Sequence, residues 1–261
     1  MKNLTWQNPE QLFVAQELIN KVKSKCCGIK GNKKWILRNI LQTLYINFHY
    51  LPFKQAIKLP ILVYKPKFIK NKGKIIITNE SCKFGMIVLG KFISPLYSNT
   101  GFSFYNEGTI IFRGNCKIGN ESNIIVTKDA NLIFGDRFQA TAAFKINCSY
   151  RITFGNDVLI GYNSNFIDTD LHHVTMINGK LPPKPFGEII IGDGCWFGFN
   201  NVIMKNTTIP QYCIIASNSL CNKHYNCSKY SLLAGMPAVV KKEHVSYLNP
   251  QDHIINYKLY D

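Results

Sequence analysis

Residues 188–220 read EIIIGDGCWFGFNNVIMKNTTIPQYCIIASNSL, and a single period runs through them. Apolar residues return every six positions: Ile191, Phe197, Ile203, Ile209 and Ile215, with Cys221 next. Gly192 and Gly198 follow two of them. The same spacing recurs upstream in Phe154, Ile160 and Phe166, with Gly155 and Gly161, and again in Phe112, Ile118 and Ile124, then Ala130. Six is neither the helical repeat nor the two-residue alternation of a half-buried strand. It is the repeat of a three-sided prism. Each unit is a short strand plus a corner, three units close one coil, and one residue per unit points to the axis. Stacked coils then pair each backbone N–H and C=O with the coil above or below. Gly is expected at the corners, where the turn is tight. The competing reading is an ordinary β-sandwich with chance spacing, and five consecutive residues in register count against it.

Outward from this stretch, short β-branched runs broken by Gly, Asn and Asp begin at about Gly73: KIIIT at 74–78, TIIF at 109–112 and NLIFG at 131–135. The sequence thus predicts a mainly β unit, a parallel β-helix over 73–223, with a C-terminal tail over 224–261. Ahead of it, residues 9–24 space Leu12, Phe13, Leu18, Ile19 and Val22 as on a helix. Residues 33–50 do the same with Trp35, Ile36, Ile40, Leu44, Ile46 and Phe48. Pro52, Pro60 and Pro66 preclude one long helix beyond them. Residues 1–72 therefore read as a mostly helical appendage.

The appendage is basic. The 261-residue chain carries a net charge of +16, and residues 1–91 hold 17 Lys/Arg against 3 acidic residues. Solvated charge in a Lys-, Asn- and Ile-rich chain is the plain explanation. A peripheral contact with an anionic membrane surface is the next, and no recognised module points to nucleic acid. Hydrophobic residues make up 46%, enough for a core, and no apolar run approaches the length of a membrane span. The start, MKNLTWQNPEQ, lacks the apolar region of a secretory signal. Nine cysteines with no CxxC pair read as reduced thiols, which suits a cytoplasmic protein.

The repeat stops at Phe166. Beyond it come Asp168-Thr169-Asp170-Leu171-His172-His173 and then MINGKLPPKPFG at 176–187, where three prolines exclude a regular strand. An extruded loop is expected over 174–187, and functional groups favour loops on rigid scaffolds. A neutral imidazole can take the proton of a hydroxyl nucleophile, and a carboxylate on its other nitrogen fixes the tautomer. One count runs against this: His172 lies six residues after Phe166, so an unbroken prism would bury it. The six histidines, at 49, 172, 173, 224, 244 and 253, lack metal-ligand spacing, and no metal is expected.

The 188–220 segment with YSLLAGMPAVVKK at 230–242 resembles the hexapeptide-repeat acyltransferases, in particular their sugar O-acetyltransferase branch, which includes maltose, galactoside, capsule, O-antigen and exopolysaccharide acetyltransferases. Trp196-Phe197-Gly198 is similar to that branch's WIG step and Ala234-Gly235-Met236-Pro237-Ala238 to its AGxPA step. The likeness spans about 73–242. It departs at Ala216-Ser217-Asn218-Ser219, where the family reads Gly-Ala-Gly-Ser. The resemblance implies a left-handed β-helix, a C3 homotrimer, and acetyl-CoA as co-substrate along the C-terminal coils. It implies His172 as general base, oriented by Asp168 or Asp170, with His173 at the substrate. Coenzyme contacts would fall to Trp196, Gly198, Ala216, Ser217, Lys223 and Lys241. The implied reaction is direct acetyl transfer, in a ternary complex, to a hydroxyl of a sugar or cell-surface polysaccharide precursor. An N-acyltransferase on an amino-sugar nucleotide or other amine, and a non-catalytic scaffold, remain as alternatives.

Overall fold

The computed structural model describes residues 33–79, 81–177 and 182–247, with Glu17 and Asn20 besides. Short strands fall in rotation into three sheets of nine, seven and six members, and the chain winds as a left-handed parallel β-helix. The first sheet runs from Ile61–Val63 to Ala238–Lys242, the second from Pro66–Asn71 to Leu220–Cys221, the third from Lys74–Ile77 to Thr208–Ile209.

The six-residue period predicts the register. Ile160, Phe197, Ile215 and Leu233 stand in one column of the first sheet. Ile124, Ile146, Phe166, Ile203 and Cys221 make the second, and Phe154, Ile191 and Ile209 continue the third. All of these are buried. Trp196, Ile214 and Leu232 pair in register eighteen residues apart, three hexapeptides per coil. Earlier coils are longer: Ile118 pairs with Ala140, twenty-two residues on. Phe112, Phe134 and Phe154 stack along the axis at centroid spacings of 5.3 and 5.5 Å. Burying one such ring is worth roughly 1.5–3 kcal/mol.

The glycines serve otherwise than expected. A Cβ on Gly161 would lie 2.5 Å from the Gly198 carbonyl oxygen, and one on Gly198 would lie 2.5 Å from Ser217 Oγ. They let coils approach. The left-handed conformation falls instead to Asn163, Asn200 and Asn218, with φ of 55°, 59° and 59°. Asparagine tolerates that region, so Asn218 fills without a clash the place of a family glycine. The three amides also bond up the corner, Asn163 Nδ2 to Asn200 Oδ1 at 2.9 Å and Asn200 Nδ2 to Asn218 Oδ1 at 2.6 Å.

The strands extend past the expected bounds at both ends. The first full coil spans Ile61–Ile77, twelve residues ahead of Gly73. At the other end Leu232–Gly235 adds to the first sheet and Ala238–Lys242 turns back on it antiparallel. Helix α1 (Lys33–Tyr50) lies where predicted, and a short α2 (Phe53–Ala56) follows. The helix predicted over 9–24 lies outside the described residues except for Glu17 and Asn20, both helical. Much of the basic appendage shares that position.

Helix α1 caps the coil. Asn39, Thr43 and Asn47, four residues apart, are buried on one face. Asn47 accepts from the Ile61 N–H at 3.1 Å and donates to the Ile61 carbonyl at 2.7 Å. Thr43 Oγ1 accepts from the Val63 N–H at 3.3 Å, and Asn39 Oδ1 from the Lys65 N–H at 2.9 Å. Alternate residues of an edge strand are thereby satisfied by successive helical turns. His49 donates to the Asn71 carbonyl at 2.9 Å and Gln55 to the Ile77 carbonyl at 3.2 Å, so the cap reaches all three sheets.

The cysteines among the described residues are free, and all but Cys227 are buried. No helix of the described residues is long and apolar enough to cross a membrane.

Candidate active site

The loop of interest leaves the corner between the second and third sheets. The strand Asn165–Ile167 carries Phe166 into the core, and Asp168 follows, fully buried. Its carboxylate accepts from the Ser149 N–H at 2.7 Å and the Tyr150 N–H at 2.9 Å. Burial lifts its pKa above the ordinary carboxylate value, while the two amides pull it down.

The chain then departs. Thr169 and Phe186 form an antiparallel bridge. The Asp170 N–H donates to the Pro185 carbonyl at 2.6 Å, and the Gly187 N–H donates to the Asp168 carbonyl at 2.9 Å. The excursion thus begins at Asp170, a few residues before the expected 174, on a narrow neck; residues 178–181 lie outside the described ones. Lys205, one coil later on the same corner, sets its ammonium 2.5 Å from Asp170 Oδ2 and 2.7 Å from the Lys184 carbonyl.

His172 and His173 are both exposed. The count that would bury His172 fails because the chain has already left the prism at Asp170. Each of the two carboxylates expected beside the imidazole makes another contact here. Asp168 is spent on the corner of the preceding coil, and Asp170 is paired with Lys205. Among the described residues neither imidazole has a hydrogen-bond partner. What the geometry offers is two accessible imidazoles just beyond a fixed neck.

The proposed coenzyme residues separate into groups. Gly198, Ala216 and Ser217 come together, half-buried, on the corner between the first and second sheets. The Ser217 hydroxyl accepts from the Phe199 N–H at 3.2 Å. The side chains at 216 and 217 are small, and Phe199 beside them is 53% exposed. Trp196 faces out from the adjoining sheet, but its ring stacks on Tyr247 at 4.8 Å, so the C-terminal segment covers it. Burial there raises the Tyr247 hydroxyl pKa. Lys241 is exposed on the final strand. Lys223, exposed, stands elsewhere, on the corner that bears the histidine loop, its ammonium 5.6 Å from the centre of the Tyr225 ring.

Lys205 and Phe199 carried no sequence signal, since one is a lone lysine and the other an aromatic beside a repeat. A further aromatic pair, Tyr97 on Tyr162 at 5.6 Å, lies along the corner of Phe199. Tyr97 belongs to an excursion held by the Asn120 amide, which donates to the Ser98 carbonyl at 2.9 Å and accepts from the Ile93 N–H at 3.1 Å. No three His, Cys, Asp or Glu side chains converge as a metal site among the described residues.

No protein-family model matches the chain. It is 28% identical over 142 residues to the galactoside O-acetyltransferase of Escherichia coli (strain K12), across 54% of this chain and 66% of that protein, just under two thirds of its length. Among solved structures it is similar to the polySia specific acetyltransferase NeuO, with a TM-score of 0.49 and 23% identity over 72% of this chain and 73% of that one. It is also similar to the hexapeptide-repeat containing acetyltransferase VCA0836 of Vibrio cholerae O1 biovar eltor, solved with acetyl coenzyme A, with a TM-score of 0.38 and 18% identity over 77% and 82% of the two chains. The six-residue period, the three-sided stack and the Escherichia coli relative together mark a hexapeptide-repeat protein that resembles the sugar O-acetyltransferase branch of the acyltransferases.

Proposed function

We propose that the protein is an acetyl-CoA-dependent O-acetyltransferase that modifies a hydroxyl of a sugar or of a cell-surface polysaccharide precursor. The observation that carries this reading is an exposed imidazole, His172, two residues beyond a hydrogen-bonded neck on a stacked-coil scaffold. His172 takes the proton of the acceptor hydroxyl as its oxygen attacks the thioester carbonyl. The C–S bond breaks as the C–O bond forms, and the departing sulfur takes up a proton as free thiol. A neutral imidazole has the free ring nitrogen that this proton transfer needs. His173 is assigned to acceptor contact. Gly198, Ala216 and Ser217 line the thioester arm, and Lys241, on the strand that ends the adjoining sheet, supplies positive charge for the coenzyme phosphates, while Lys223 stands apart on the corner of the histidine loop.

We further propose a homotrimer. The outer face of the third sheet carries Ile76, Ile111, Ile133, Thr153 and Ile190 in one column, an apolar stripe along a flat flank. A neighbouring prism on that flank would bury it.

The test is a panel of sugars and oligosaccharides with acetyl-CoA, read by thiol release. Activity is expected on at least one hydroxyl acceptor, and an alkali-labile product distinguishes an ester from an amide. His172→Ala is expected to lose 10²–10⁴-fold in turnover with an unchanged melting temperature, as for removal of a general base. Full activity in that variant, with loss in His173→Ala, would transfer the role to His173.

A further inference from the structure

We propose that Lys205 is a positioning residue that clamps the neck of the histidine loop and so sets where His172 stands; this rests on the O-acetyltransferase reading above. Lys205 follows the strand Val202–Met204, which pairs directly with Asn165–Ile167, so it rises immediately above the point where the loop departs. Its ammonium binds both limbs at once, the Asp170 carboxylate on the outgoing one and the Lys184 carbonyl on the returning one. The pair is sheltered, with side-chain exposures of 18% and 24%. Such pairs hold geometry better than exposed ones.

The next residues explain why this clamp bears on chemistry. Leu171 sits at φ 62°, a left-handed conformation unusual for leucine, and its N–H donates to Thr169 Oγ1 at 3.1 Å. His172 follows at once. Residues 171–177 are all exposed, so the direction of the His172 backbone is inherited from the neck. Two backbone ties, the Thr169–Phe186 bridge and the bond from Asp170 to Pro185, do not involve the Lys205 side chain. Removing the ammonium should therefore loosen the neck without unfolding the coil. A base displaced by about 1 Å costs on the order of 10²-fold.

The experiment compares Lys205→Met, Lys205→Arg, Asp170→Asn and the double variant Lys205→Met/Asp170→Asn in the thiol-release assay. Lys205→Met and Asp170→Asn are expected to lower kcat about 10–100-fold with the KM for acetyl-CoA within about twofold. Lys205→Arg should recover most of the loss, and the double variant should be no worse than either single change. Faster tryptic cutting after Lys180 in Lys205→Met reads the neck independently of activity. Unchanged kcat, a loss that follows the melting temperature and is not restored by arginine, or additive single effects would each overturn the role. A wild-type chain that releases no thiol, or a fully active His172→Ala, overturns the transferase reading instead. In that case the proteolysis still decides whether the clamp exists, and the catalytic role falls with the reading.

Discussion

Asp168 has a structural task besides the orienting role that its place before the histidines suggests. An Asp two positions before Asp170 and four before a histidine suggests an acid–base partner. Its carboxylate receives two backbone amides from the coil below, because the chain turns there and Ser149 and Tyr150 need acceptors. Asparagine cannot serve both, since its Nδ2 would face an N–H. Asp168→Asn is expected to destabilise the fold by about 1–3 kcal/mol, the cost of an unsatisfied buried donor, measured by urea unfolding. Transfer activity below the unfolding range should persist in that variant. Loss of transfer without loss of stability would restore a catalytic role to Asp168. Trp196 teaches the same lesson: Tyr247 lies 51 positions away in the chain, and only the return of the C-terminal segment brings the rings together.

At the scale of elements, the cap made by α1 is the least anticipated part. A helix is judged from its apolar spacing, and Ile40 and Ile46 are indeed buried while Phe48 faces solvent. The chemistry of the cap lies in Asn39, Thr43 and Asn47, polar residues that sequence reading leaves on the outside. Asn47→Ala removes both partners of Ile61. It should cost about 1–3 kcal/mol, and hydrogen exchange should show lost protection at the Ile61 and Val63 amides while the Phe134 region stays slow. Uniform loss of protection would show that the cap and stack unfold together. The coils from Ile191 onward were legible because each is three hexapeptides long and every inward position is apolar. The coil Ile61–Ile77 was not, since Pro66 and the lysines of its strand hide the period and an excursion after Lys91 breaks it. The loop was legible as an interruption rich in proline. Its anchorage was not, because Lys205 meets Asp170 only after a full coil has been wound.

The whole molecule presents three flanks of different character. On the third, four isoleucines and Thr153 stand in one column that ends at Thr208. Ile133→Glu places a charge in the middle of that stripe and is expected to shift the light-scattering mass from trimer to monomer without changing the far-UV spectrum. An unchanged mass would move the trimer contact to another flank. The two extremities differ again. A ladder of hydrogen-bonding strands is a template for more strands wherever it is left open. Here side chains of Asn39, Thr43, Asn47, His49 and Gln55 occupy one terminus, and the reversed strand Ala238–Lys242 finishes the first sheet at the other. The helix cap therefore denies another copy the edge strand Ile61–Val63 as a template, and the reversed strand Ala238–Lys242 denies it the parallel edge of the first sheet.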